Sequence, residues 1–274
     1  MSIGSIIVHV DSGQAAAARV RLAAALAAEH EAHLTGLHPR DAGLLPLYFE
    51  ASAEVVAQQR RWAGEEAAMA RRIFEMQSGD ADRSDWQEIE GRAVDVVIAA
   101  ARWADIAIVG QTDPATASFA TPGTLPEDVV LAAGRPVLVV PPIGAAHPFR
   151  RVLVGWNGSR EAARAVHDAL PLLRRADIVT VLAIVADRPA TDPQSVPCAE
   201  ICQALARHGV RVEAARTVTD TIEPGEFLLS EAAGGSADLI VMGAYGHSRL
   251  REAVLGGATR TILRQMTVPV LLSH

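Results

Sequence analysis

Two kinds of segment alternate along the chain. Short apolar runs with almost no polar position, such as IVTVLAIVA (178–186), are typical of strands that are covered on both faces. Longer segments carry apolar residues at helical spacing, as in SREAARAVHDALPLLRRA (159–176), and the preceding residues NGS supply a turn and a helix start. This order of strands and helices predicts an α/β fold with a parallel sheet and right-handed crossovers.

The pattern occurs twice. ADIAIVG (104–110) matches ADLIVMG (237–243), and RPVLVV (135–140) matches VPVLLS (268–273), both at an offset of 133 positions. The starts match as well, since SIIVHVDSG (5–13) resembles RVLVGWNGS (151–159). A repeat of this length predicts two copies of one domain, at residues 1–142 and 150–274, joined by the Pro- and Gly-rich segment PPIGAAHPFR.

The last apolar run of each copy is short and ends its domain. These runs are 137–140 and 270–273. Paired with each other, they would cover two exposed sheet edges within one chain.

Composition narrows the classes of partner. The formal net charge is −7 and the pI is about 5.7, which argues against nucleic acid or an anionic membrane as a partner. No stretch approaches the roughly 18 apolar residues of a membrane span, and the N-terminus has no basic region typical of a signal peptide. We therefore expect a soluble cytoplasmic protein.

One segment carries candidate chemistry. GAYGHSRLREAVLGG (243–257) follows an apolar strand at the sheet edge where ligands of open α/β folds bind. Its glycines would let backbone N–H groups approach a phosphate, and the following helix would add its N-terminus. Spacing alone leaves a second interpretation equally open, in which the glycines only turn the chain and allow a helix to pack. The segment is neither the dinucleotide fingerprint nor the Walker loop.

The arrangement Gly-x2-Gly-x9-Gly, between an apolar strand and an edge strand ending Val-Pro-Val, resembles the universal stress protein family, and the likeness covers both copies. The resemblance implies a Rossmann-like fold with an open five-stranded parallel sheet and helices on both faces in each domain. It also implies an adenine-nucleotide site that often holds ATP, with or without Mg²⁺. Carried onto the second copy, that site comprises Asn157, Ile184, Met242, Gly243, Gly246, His247, Ser248, Gly256, Gly257 and Ala258.

Two positions of that site depart from the family pattern. Asn157 stands in the place of an Asp, and Gly257 in the place of a Ser or Thr. In the first copy Asp11, Gly110, Gly123 and Thr124 fit the pattern, but Asp113 replaces the second glycine. Because a carboxylate repels a triphosphate, we expect the first site to be degenerate and the second to be the competent one.

Three functions remain open from the sequence. The first is an ATP-binding stress-response or regulatory protein with slow hydrolysis at most, since no residue is placed as a general base. The second is a non-catalytic scaffold with vestigial nucleotide sites. The third, an enzyme such as an ATP pyrophosphatase, would need acidic Mg²⁺ ligands for which no motif is present. The resemblance further implies an intrachain pseudo-dimer, and a homodimer is also plausible.

Two other features favour structural roles. EVVAQQRRWAGEEAAMARRIFEMQ (54–77) predicts a long amphipathic helix whose charged stripe is a solvated face. His30, His33 and His38 lie at a helix end and in the following strand, where a metal site is the less favoured interpretation.

Overall fold

The computed structural model describes residues 2–40, 53–79, 81–112, 124–185, 198–218, 223–245 and 257–274. The chain divides into two compact units. The first unit comprises residues 3–135 and 142–144, and the second comprises residues 136–141 and 145–274 together with the first two residues.

The first unit is a parallel sheet in the order β3-β2-β1-β4, with α1 packed beside α2 and α3 beside α4. Its elements are β1 (Ser5–His9), α1 (Gln14–His30), β2 (His33–Arg40), α2 (Ala53–Gln77), a 3-10 turn (Ala81–Arg83), β3 (Ser84–Glu90), α3 (Ala93–Ala101), β4 (Ile106–Gly110) and α4 (Leu125–Ala132).

The second unit repeats this order as β8-β7-β6-β9 and continues through β10 to β5. Its elements are β5 (Val137–Val140), β6 (Arg151–Trp156), α5 (Arg160–Leu173), β7 (Ile178–Val185), α6 (Ala199–Arg207), β8 (Val212–Val218), α7 (Pro224–Gly234), β9 (Leu239–Gly243), α8 (Gly257–Gln265) and β10 (Val270–Ser273). The expected α/β fold, with a mostly parallel sheet and helices on both faces, is confirmed.

Strand β5 comes from the first repeat but belongs to the second compact unit. It pairs antiparallel with β10, with Val139 opposite Val270, so the expected pairing of the two terminal strands is present. All four residues of β5 are buried, because the pairing covers an apolar strand that would otherwise end the sheet. Residues 136–141 consequently belong to the second compact unit, and residues 142–144 belong to the first.

Small residues set the close packing in the second unit. A methyl group on Gly225 of α7 would lie 2.8 Å from the backbone oxygen of Ala258 and 3.0 Å from its Cα, so α7 and α8 touch through their backbones. This contact fixes the first turn of α8. Among the described residues, no helix is both long and apolar enough to cross a membrane.

Candidate functional site

Strand register brings three of the proposed site residues together. Trp156 of β6 lies opposite Ala183 of β7, and Gly155 lies opposite Met242 of β9. The next residues along these parallel strands are Asn157, Ile184 and Gly243, which lie together at the carboxyl ends of the strands. Asn157 and Ile184 are level with each other, and Gly243 is level with Trp156, one residue earlier. This edge lies where the strand order reverses between β6 and β9, which is the usual ligand position of an open α/β sheet.

The loop after β6 is tightly organised. The Ser159 N–H donates to Asn157 Oδ1 at 3.0 Å, and Gly158 between them has φ of +70°. Ser159 then begins α5, since its Oγ accepts the Ala162 N–H at 3.1 Å. Asn157 is exposed, and its Nδ2 makes no hydrogen bond to the described residues, so this donor can serve a ligand.

Gly243 is explained by packing. A methyl group at this position would collide with the Ala162 nitrogen and the Glu161 carbonyl carbon, and would lie 2.9 Å from Glu161 Cβ. The end of β9 therefore lies directly against the first turn of α5. Of the two interpretations left open by the sequence, close packing accounts for Gly243.

The packing at Gly243 brings a buried acid to the edge. Glu161 is 2 % exposed in its side chain and pairs with Arg160 at 3.0 Å. Burial alone would raise the pKa of this carboxyl, but hydrogen bonds from its own backbone N–H, Arg160 and Ser159 outweigh burial and lower it. Glu161 was not among the site residues predicted from the sequence, although its place in the first helical turn after the NGS cap was a usable signal.

The segment after Gly243 closes back on α8. Tyr245 has a left-handed backbone with φ of 55°, and its N–H donates to Oγ1 of the buried Thr259 at 3.4 Å. Residues 246–256 connect these two points. The predicted site residues Gly246, His247, Ser248 and Gly256 lie outside the described residues.

A second carboxylate lies at the start of α8. Glu223 Oε2 accepts the Gly225 N–H at 3.2 Å, and a methyl group on Gly257 would lie 2.6 Å from Glu223 Oε1. Gly257 and Ala258 occupy the first turn of α8, where free backbone N–H groups favour negative charge. Glu223 is thus positioned to compete with a free phosphate at this helix end.

The remaining predicted residues, Met242 and Ile184, lie on strands β9 and β7. Met242 is 9 % exposed and supplies an apolar surface, and a methyl group on the neighbouring Gly155 would lie 3.5 Å from Met242 Cβ. Ile184 is the residue of β7 just beyond the end of the pairing with β6, while on its other side it lies opposite Thr217. Its backbone is therefore at the edge that a ligand would meet.

In the first unit, Arg19 fills the space beside Gly110, which is the counterpart of Gly243 in the repeat. Arg19 is 3 % exposed, its Nε donates to the His9 backbone oxygen at 2.8 Å, and its NH2 group pairs with Asp11 Oδ2 at 2.6 Å. The guanidinium also lies where a side chain on Gly110 would be. Asp11, which fits the family's Asp position, is therefore already engaged by the chain itself.

Within this buried cluster, Arg19 lowers the pKa of both Asp11 and His9. Burial alone would raise the pKa of Asp11, but the Arg19 charge and hydrogen bond and the Gly13 N–H hold it well below its usual range. Burial lowers the pKa of His9 to about 4; Arg19 and His38 reinforce this shift, and Asp11 opposes it. His38 is buried and its Nδ1 lies 2.8 Å from the Val10 backbone oxygen.

This buried cluster of His9, Asp11, Arg19 and His38 was not predicted from the sequence. Its signal was the single Arg19 on the apolar face of QAAAARVRLAAALAA, where the second copy has Ala165, which is fully buried. His33, in contrast, is half-exposed and lies 3.1 Å from Asp85 on the neighbouring strand. Among the described residues, no group of three or more His, Cys, Asp or Glu side chains could hold a metal ion.

Comparison with known proteins identifies relatives. Residues 148–274 match the model of the universal stress protein family. A universal stress protein of Synechocystis sp. is 27 % identical over 170 residues, which span 61 % of this chain and 57 % of that protein. A Thermus aquaticus universal stress protein is 29 % identical over 137 residues, which span 45 % of this chain and 98 % of that protein.

Solved structures share the fold over nearly the whole chain. A universal stress protein from Archaeoglobus fulgidus has a TM-score of 0.74 at 15 % identity and covers 98 % of this chain and 97 % of its own. A functionally unknown protein from Pseudomonas aeruginosa has a TM-score of 0.62 at 15 % identity and covers 99 % of this chain and 92 % of its own. At these identities the likeness shows the fold alone.

Proposed function

We propose that this chain, which contains a universal stress protein domain at residues 148–274, is a tandem universal stress protein that binds ATP mainly in its second domain. It acts as a regulatory or stress-response protein rather than as an enzyme with rapid turnover. The tandem interpretation is supported by the shared strand order of the two units and by the internal repeat.

The observation that carries the proposal is the placement of Asn157 beside Ile184 at the carboxyl ends of β6 and β7, next to the switch point of the second sheet. In this proposal Asn157 and the Ile184 backbone hold the adenosine end. Met242 supplies an apolar surface, and the first turn of α8 at Gly257 faces the phosphates.

The phosphate end fits a magnesium-bound nucleotide better than a free one. Glu223 places a carboxylate beside Gly257, which repels a bare triphosphate, whereas Mg²⁺ bound to the phosphates would offset that repulsion. We therefore expect ATP affinity to rise when Mg²⁺ is present.

Calorimetry with ATP, ADP and AMP, with and without Mg²⁺, tests this function. We expect one site per chain, and a loss of about three- to tenfold in affinity for Asn157→Ala, the scale of one neutral hydrogen bond. Gly246→Asp, which copies Asp113 of the first repeat, should weaken binding further. If ATP binding survives Gly246→Asp unaltered, the assignment of the glycine loop is wrong, and two equivalent sites per chain would contradict the asymmetry.

The position of Glu223 also favours an alternative, a scaffold whose nucleotide sites are vestigial. In that case none of the three nucleotides binds even with Mg²⁺. Glu223→Gln separates the two functions, because it should strengthen Mg²⁺-free ATP binding in a nucleotide-binding protein and change nothing in a scaffold. Turnover well above background would favour neither and would indicate an enzyme.

A further inference from the structure

Large apolar side chains are exposed at seven-residue intervals along α2. Trp62 is 58 % exposed, Met69 44 % and Met76 71 %. Helix α2 packs on the first unit through other positions, which include the buried residues Ala67, Ala70 and Phe74. We call Trp62, Met69 and Met76 the α2 stripe.

Helix geometry makes these three residues a continuous line. Seven residues fall only about 20° short of two full turns, so the α2 stripe stays within about 40° around the helix and extends about 21 Å along it. A repeat of seven is the spacing of the seam between two paired helices. An apolar line of this kind is a contact surface for another helix rather than a solvated face.

Two opposite charges border the α2 stripe at the same interval. Glu65 and Arg72 are seven residues apart and fall on the same side of the stripe, and Arg72 NH2 lies 4.0 Å from the Met69 sulfur. If two α2 helices paired in parallel, this side of one helix would face the opposite side of the other, and Glu65 and Arg72 would not meet. In an antiparallel pair each Glu65 faces an Arg72 of the other helix, which makes the surface self-complementary.

We propose that the α2 stripe joins two copies of this chain through an antiparallel pair of α2 helices about a twofold axis. With Glu65 opposite Arg72, the axis passes between residues 68 and 69, so the two Met69 side chains meet near it. Trp62 then packs beside Met76 of the other copy, a favourable sulfur–aromatic contact. Residues 60–77 overlap in this arrangement, a length of about 27 Å.

The size of the contact sets its strength. One aromatic and two methionine side chains per copy bury less surface than the roughly 1,200–2,000 Å² of a standard stable interface. The dimer is therefore weak, and its population depends on protein concentration.

Sedimentation equilibrium of the full chain, from micromolar to near-millimolar concentration, tests the proposal. We expect a reversible monomer–dimer equilibrium and at least an approximately tenfold higher dissociation constant for Trp62→Ala. Trp103→Ala is the matched control, because Trp103 is 88 % exposed in the same unit but lies outside the stripe. A wild-type chain that stays monomeric, or a dimer that Trp62→Ala leaves intact, overturns the proposal.

Charge reversal tests the orientation. Glu65→Arg and Arg72→Glu should each weaken the dimer by placing like charges opposite each other, and the double variant should restore wild-type affinity. Both residues are exposed, so circular dichroism should show an unchanged fold. If the double variant dimerises no better than the single variants, α2 does not pair antiparallel with a second copy.

Discussion

His9 should make the first unit sensitive to mild acid. It is 3 % exposed, and its pKa is lowered from 6.5 to about 4 by burial, together with the nearby Arg19 and His38 and against the opposing charge of Asp11. Between pH 6.5 and pH 4, His9 is therefore mostly protonated in the unfolded chain and mostly neutral in the folded unit. Stability from His9 is complete above pH 6.5 and is lost as the pH falls toward 4.

The size of the loss follows from the shift. A change of 2.5 pKa units, at about 1.4 kcal/mol each, corresponds to about 3 kcal/mol between pH 7 and pH 4. His9→Gln removes the titrating group. Between pH 7 and pH 4, the free energy of unfolding of this variant should therefore fall by about 3 kcal/mol less than that of the wild type.

Urea unfolding at pH 7, 5.5 and 4 measures the difference. In a Trp156→Phe background the remaining tryptophans, Trp62, Trp86 and Trp103, all report on the first unit. His33→Gln is the matched control, because this half-exposed histidine lies on the surface, outside the buried cluster of His9, Arg19 and Asp11. Equal losses of stability in the wild type and His9→Gln would refute the reasoning.

Three further substitutions test the packing at the carboxyl ends of the strands in the two units. Arg19→Ala leaves the part-buried Asp11 without its partner and should destabilise the first unit by about 2–3 kcal/mol at pH 7, less than for a fully buried pair, in the same urea assay. Gly243→Ala drives a methyl group into the α5 backbone at Ala162 and should lower stability by about 1–3 kcal/mol in ligand-free thermal melts; no change would return Gly243 to a purely ligand-binding role. Ser159→Ala removes the N-cap of α5 and should cost about 0.5–2 kcal/mol, while Ser159→Thr should retain most of it.

The fold could be predicted from the sequence because its signals are local and repeated. Apolar runs such as IVTVLAIVA and the cap at Ser159 depend on neighbouring residues only. The match between the two copies then indicated where strands begin and end. The pairing of β5 with β10 also followed from pattern, since both are short, apolar and terminal.

The details of the site could not be predicted, because they depend on contacts between distant segments. Gly243 meets α5 across some eighty positions of sequence, and Glu223 meets Gly257 across more than thirty. Arg19 was visible as a charge on an apolar helix, but its engagement of Asp11 required the packing of α1 on β1. The family resemblance placed Asp11 at the first site, but it did not show that Arg19 of the same chain already pairs with this carboxylate.

The place of β5 in the second unit has a consequence for synthesis on the ribosome. Val139 is made about 130 residues before its partner Val270. At roughly 5–20 residues per second, the edge of β5 that β10 covers waits about 7–26 s for that strand. During this interval four consecutive apolar residues present an open strand edge to other nascent chains. Translation of β10 therefore covers this edge of β5 and ends the period in which it is exposed to aggregation.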